Sequence, residues 1–257
     1  MNIRLARTAL ACVATGLLMS ACGGGDDDLA DRTNTADPQL RLIHASAASP
    51  AVTLYRNGTA DSSNISYKGF SSYHGTTFGS NALVLRPASS SSTDLASATI
   101  DAQRGRKYTA IAVPDNTVGA QLLVIDDPFE KPVGNDQARV RWVNASSNAN
   151  SVDVYVTAPN TDLATVQPNF SGLQFRTALP ASGNNAVQFT DGNYQIRVTT
   201  AGTKTVIFNN TVALAKNDDV VMITAPSDAV GLAANDIRVL VVKADSTTNT
   251  ATELANQ

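Results

Sequence analysis

Arg41-Leu42-Ile43-His44-Ala45-Ser46, running on through Val52-Thr53-Leu54-Tyr55-Arg56, recurs as Arg141-Trp142-Val143-Asn144-Ala145-Ser146 and Val152-Asp153-Val154-Tyr155-Val156. The offset is a constant 100 residues, with Arg, Ala, Ser, Val and Tyr identical at matching positions. Self-similarity at a fixed offset marks a folding unit used more than once, so it governs the reading of the fold. The chain reads as two copies, 39–127 and 137–243, joined by a linker at 128–136 and followed by a polar, frayed tail at 244–257.

Within the first copy, short apolar or alternating runs fall at Leu40–Ile43, Val52–Tyr55, Ala82–Leu85, Thr109–Val113 and Gln121–Ile125. Turn signals separate them: Asn57-Gly58, Lys68-Gly69, the serines at 89–92 and Arg104-Gly105. Several short strands at this spacing, without a long helical period, indicate an antiparallel sandwich or barrel. Asn-Gly after a strand is the strongest hairpin mark, since both central residues of a type I′ turn take positive φ. In the second copy Val152, Val154 and Val156 alternate with Asp153 and Tyr155, which puts the valines on the core face. Tyr67–Phe70 is echoed by Phe170–Leu173, Leu83–Arg86 by Tyr194–Arg197, and Tyr108–Pro114 by Val220–Pro226; Asp191-Gly192 reads as another hairpin turn. The expected fold is all-β: two tandem immunoglobulin-like antiparallel β-sandwich domains. Pro128, Pro132 and Gly134 mark a boundary that few contacts should cross.

The N-terminus reads as an export signal. Arg4 and Arg7 precede a short apolar stretch from Thr8 to Met19, and Leu18-Met19-Ser20-Ala21-Cys22 resembles the lipobox of bacterial lipoproteins. That resemblance implies removal of residues 1–21 and lipid attachment at Cys22. Gly23 rather than Asp after the cysteine implies outer-membrane delivery in a Gram-negative envelope. Several acyl chains hold a protein stably at a membrane where a single one does not. Residues 22–38, with Gly23–Gly25 and Asp26–Asp28, have no apolar face to bury and read as a flexible tether, able to span about 50 Å if extended. Nothing after the leader is apolar for long enough to cross a bilayer as a helix.

Of the 257 residues, 43% are hydrophobic and 16% charged, enough for two cores of about a hundred residues each. The formal charge of −3 becomes about −5 when Arg4 and Arg7 leave with the signal. A mildly acidic chain without a basic stripe is a poor match for phosphate backbones, so no nucleic-acid partner is expected. Cys12 and Cys22 are the only cysteines, so neither copy can carry a disulfide.

The motif at 141–156 resembles the opening of a bacterial family of unknown function, DUF4397. The resemblance is good in the second copy and weaker in the first, where Thr53 stands in place of Asp. It implies a β-sandwich and a cell-envelope location, with no established activity and no catalytic residue to carry over.

Catalytic machinery is not expected. After the leader and anchor, no thiol remains to pair with a base, and the histidines are His44 and His74 alone. His44 is replaced by Asn144 in the second copy, which suggests a polar strand end bonding a turn. Asp126-Asp127 and Asp218-Asp219 read as solvated turns rather than metal ligands, Arg104–Lys107 as a turn, and no cofactor is expected. Tyr67, Phe70, Tyr73 and Phe78 are the candidate ligand contacts, because exposed rings stack on sugars. Phe170, Leu173 and Phe175 hold similar places in the second copy, which favours a core role for such positions. The expected function is a non-enzymatic envelope lipoprotein displaying two sandwiches to an envelope protein or glycan. The alternatives are a carbohydrate-binding or adhesion module and, behind it, an envelope hydrolase built on His44 or His74.

Overall fold

The repeated strand is β1 (Gln39–His44) in the first copy and β9 (Ala138–Asn144) in the second. Each lies inside a sheet and pairs in parallel with a strand from the end of its own copy: β1 with β7 (Lys107–Pro114), and β9 with β16 (Asp219–Pro226). A computed structural model describes residues 35–115, 119–128, 136–228 and 231–257. The leader at 1–21, Cys22, most of the tether and positions 129–135 of the linker lie outside the described residues.

The remaining strands of the first copy are β2 (Val52–Arg56), β3 (Thr59–Ile65), β4 (His74–Gly75), β5 (Gly79–Pro87), β6 (Ala96–Ala102) and β8 (Ala120–Asp127). They form two four-stranded sheets, in the orders β4-β1-β7-β8 and β3-β2-β5-β6. Between these sheets lies a core of Leu40, Leu42, Leu54, Leu85, Tyr108 and neighbours. The Asn57-Gly58 turn joins β2 to β3 with φ of 51° and 83°, as a primed hairpin requires.

The second copy contributes β10 (Ser151–Thr157), β11 (Phe170–Gln174), β12 (Thr177–Leu179), β13 (Val187–Phe189), β14 (Gly192–Thr200), β15 (Val206–Leu214), β17 (Ile237–Lys243) and β18 (Thr252–Leu254). Its sheets run β11-β10-β14-β15 and β12-β9-β16-β17-β18, with β13 sharing the β12 edge of β9. Val152, Val154 and Val156 point into its core beside Trp142, whose indole N–H donates to Thr224 Oγ1 at 2.7 Å. The all-β, two-sandwich architecture is therefore as expected, but β1 and β9 pair in parallel with their partners inside otherwise antiparallel sheets.

Three expectations need correction. The linker boundary is crossed by a third apolar core. Ile43, Ile111, Val113 and Ile125 leave the outer face of the first sandwich and pack with Val143, Val221, Ile223 and Leu240 from the second. Each of these side chains gains about 1.5–3 kcal/mol from full burial, so the two sandwiches are joined as one body. The tail does not fray. β18 pairs with β17, and the N–H groups of Phe70 and Ala251 donate to the carbonyls of Asn249 and Lys68, at 3.0 and 2.8 Å. Asp191-Gly192 is no hairpin, because β13 pairs with β9 in one sheet and β14 with β10 and β15 in the other.

Register also sharpens the repeat. Lys68 and Arg176 both take positive φ, 69° and 62°, and donate their N–H to the carbonyls of His44 and Asn144. Ile43 faces Phe70 as Val143 faces Ala178. Tyr67–Phe70 thus corresponds to Phe175–Ala178, not Phe170–Leu173. Leu54 faces Leu85 and Val154 faces Val198, so Leu85 corresponds to Val198, two residues beyond the match read from sequence. Tyr108–Pro114 does correspond to Val220–Pro226.

Candidate functional site

His44 and Asn144 close equivalent turns. His44 Nε2 lies 2.9 Å from the Pro50 carbonyl and its Nδ1 accepts the Ser46 N–H at 3.2 Å. Asn144 gives its amide N–H to the Ala149 carbonyl at 2.8 Å and accepts the Ser146 N–H at 2.9 Å. Both residues are fully buried. Burial pushes the His44 pKa down, against a smaller upward pull from its bond to Pro50, so the ring is held neutral.

The four candidate aromatics do not share a surface. Phe70 is buried in the core between the sandwiches and Tyr67 packs against that core. Tyr73 is half-buried, with the Arg41 guanidinium 4.3 Å from its ring centre and its hydroxyl 2.8 Å from Thr109 Oγ1. Burial raises the hydroxyls of both Tyr67 and Tyr73 to about 12. Phe78 alone is open, with 67% of its surface exposed. Close in sequence, the four separate in space: Tyr67 and Phe70 belong to the inter-sandwich core, Tyr73 stacks on Arg41, and Phe78 faces solvent.

His74, at the edge of the first sandwich, meets a partner that sequence reasoning missed. Its Nε2 lies 2.6 Å from Asp61 Oδ2, and Asp61 Oδ1 accepts from Arg56 Nε at 2.7 Å. The Asp61 side chain is only 3% exposed. Burial alone would raise its pKa, but the bonds from His74 and Arg56 outweigh this and hold the carboxyl low. The hydrogen bond to Asp61 raises the His74 pKa in turn, against partial desolvation. His74 Nδ1 faces the Ser72 carbonyl at 3.2 Å. A carbonyl only accepts, so both ring nitrogens donate and the ring is held as imidazolium. No local motif links Asp61 on β3 to His74 on β4: the β2–β3 hairpin sets Arg56 beside Asp61, and His74 reaches the same carboxylate from the strand paired with β1 in the other sheet.

This ion pair stands in an open groove of about 490 Å³. One wall comes from β3 and the segment leading to β4, including Ser62, Ser66 and Ser72; the other is Asn249 and Thr250 of the second sandwich. Asn249 Oδ1 accepts from the Ser72 hydroxyl across the groove at 3.2 Å. Beside it Glu253 holds both Lys68 and Arg238, which fixes the C-terminal strand to the first sandwich.

The acidic pairs are engaged by cations. Asp127 takes Arg139 at 2.8 Å and Arg141 at 3.5 Å, Asp126 takes Arg106 at 2.9 Å, and Asp218 takes Lys243 at 2.6 Å. Among the described residues no cluster of three or more His, Cys, Asp or Glu could hold a metal ion. Gly105 and Asn217 occupy equivalent left-handed positions, φ 70° and 63°, so the feature shared by Arg104–Lys107 and its counterpart is the turn.

The fold is that of a paired β-sandwich protein. Residues 38–155 match the family described as a domain of unknown function, DUF4397. That stretch covers the first sandwich and runs on through β9 into β10. No curated protein matches the chain. Among solved structures, one described as "Alpha-glucan recognition by family 41 carbohydrate-binding modules from streptococcal virulence factors" is 10% identical, over 75% of this chain and 95% of its own, with a TM-score of 0.23. Another, a family 26 carbohydrate-binding module of Eubacterium rectale Amy13K in complex with maltoheptaose, is 10% identical over 82% of this chain and 99% of its own, also with a TM-score of 0.23.

Proposed function

We propose that the chain is a non-enzymatic lipoprotein of the bacterial cell envelope, anchored at the outer membrane through Cys22, whose joined sandwiches form a rigid platform for binding or scaffolding. The observation that carries the binding role is the groove built by both sandwiches and fixed across the third core. A platform assembled from two copies presents one surface only if the copies cannot move apart, and the buried Ile43, Ile111, Val143 and Ile223 supply that constraint. The lipobox-like run and the tether supply the anchor and the reach.

The state of the histidines supports a role without turnover. A serine nucleophile needs a ring lone pair within reach of its hydroxyl. Both nitrogens of His74 are directed at oxygens that only accept, and those of His44 are taken by Pro50 and Ser46.

Metabolic palmitate labelling of wild type and Cys22→Ser, with membrane fractionation and protease shaving of whole cells, tests the anchor. Label and membrane association lost in the variant are the expected result. A variant that still labels would overturn the anchor and the location argued from it.

A further inference from the structure

We propose that the first sandwich stands with its tether end against the lipid bilayer, and that Phe78 enters the membrane interface there. This rests on the Cys22 anchor proposed above and adds to it an orientation and a lipid-contacting residue.

The contacts fix which end of the sandwich the tether leaves from. The N–H groups of Gly105 and Thr76 donate to the carbonyls of Ala36 and Pro38, both at 2.8 Å, and Arg104 Nη1 donates to the Thr35 carbonyl at 3.4 Å. At the first residue of β1, Gln39 pairs with Gly75 on one side and Lys107 on the other. Register places Phe78 at the same end of the other sheet. Its neighbour Gly79 opens β5 opposite Ala102, the last residue of β6 before the Arg104-Gly105 turn. The Phe78 ring, 67% exposed, therefore stands open between the loop that bonds Pro38 and the turn that bonds Ala36.

Lengths then decide what this end meets. Residues 22–34, read as a flexible coil, have an r.m.s. reach of about 20 Å. β5 runs about 25 Å from Gly79 to Pro87 at ~3.3 Å per residue, so the loop at 88–95 lies that much farther from the anchor. One exposed ring buries too little apolar area to hold a protein at a membrane by itself. The anchor changes this by making the encounter intramolecular, at an effective concentration on the order of millimolar, where a weak contact is populated. Arg104 adds a replaceable charge: its partner Asp37, at 3.3 Å, is as open to solvent as Arg104 itself, so a lipid phosphate can take the place of the carboxylate.

The test reconstitutes the full chain, purified from membranes in detergent, on phosphatidylethanolamine–phosphatidylglycerol vesicles with and without brominated acyl chains. Trp142, the single tryptophan, is fully buried and gives a constant background. Phe78→Trp is compared with Ser91→Trp, in the exposed loop at the opposite end of the same sandwich. The expected result is at least twofold quenching of the added emission by brominated lipid in Phe78→Trp, and none in Ser91→Trp. Chains that float with the vesicles but leave Phe78→Trp unquenched, or show both variants quenched alike, would overturn the orientation while leaving the anchor in place. Chains that do not float would overturn the anchor and the orientation with it, so the two failures are told apart.

Discussion

At the scale of single residues, the duplication exposes what each position is for. His44 and Asn144 differ in type and share a task, because both offer one donor and one acceptor at a strand end. His44→Asn should therefore fold, with stability within about 1 kcal/mol of wild type at neutral pH, since hydrogen bonds of this kind are worth about that much net. The pH dependence should change more. His44 has a lowered folded pKa, so its contribution is present above the unfolded value near 6.5 and is lost as pH falls below it. His74 has a raised folded pKa; its contribution is present below 6.5 and is lost as pH rises through the folded value. The variant keeps the second and loses the first. Its melting temperature should fall less than that of wild type between about pH 7.5 and 5.5; equal or steeper acid loss would show that His44 is not held neutral.

Arg41 and Arg141 are the identical residues that open the repeat, and both are buried on the faces where the sandwiches meet. Arg141 gives its guanidinium to the carbonyls of Pro180, Ala181 and Asn184 and lies 3.5 Å from Asp127. Arg41 stacks on Tyr73 and bonds Thr109 through Nε, and its Nη1 and Nη2 have no hydrogen-bond partner. The copies have thus diverged around a shared cation. That Arg41 and Arg141 recur was legible in the sequence, but that they face the other copy was not.

At the scale of elements, strands with a buried stripe could be read and polar edge strands could not. The five runs picked out in the first copy all fall within strands. β3 (TADSSNI) and β6 (ASATIDA) were missed because each lies at the edge of its sheet and is mostly solvent-facing, which leaves little apolar alternation to detect. The two-residue slip in matching Leu85 has a related cause: side chains alternate with period two, so a shift of two keeps every residue on its face. The last strand was read as a frayed tail because its neighbours are polar, yet its hold on the first sandwich comes from backbone bonds and from Glu253. Ending the chain after Ser246 removes these together. The loss should be about 2–4 kcal/mol at about 1 kcal/mol per net hydrogen bond, with new cleavage near Phe70 under limited proteolysis. An unchanged urea midpoint would mean that β18 is ornamental to the fold.

At the scale of the whole molecule, the feature that most changes the functional reading is the core between the copies. Its signal was present in the sequence. Val220–Ile223 and Val239–Val242 are unbroken apolar runs, and such runs mark strands covered on both faces, where a sandwich strand with one wet face alternates. β9 and β16 accordingly bury almost every residue, sending Val140, Trp142, Val220 and Met222 into their own core and Val143, Val221 and Ile223 toward the other copy. The groove was not legible, since it needs β3, the segment before β4 and residues 249–250 to meet in space.

The most direct test of the joined platform is calorimetry of the full chain, wild type beside Ile223→Ala. Ile223 is fully buried in the shared core, and removing its side chain should cost about 2–5 kcal/mol. The account requires one cooperative transition in wild type, and in the variant either a lower single transition or its separation into two. Two transitions in wild type, each indifferent to Ile223→Ala, would mean that the sandwiches fold and move independently and that no fixed groove exists between them.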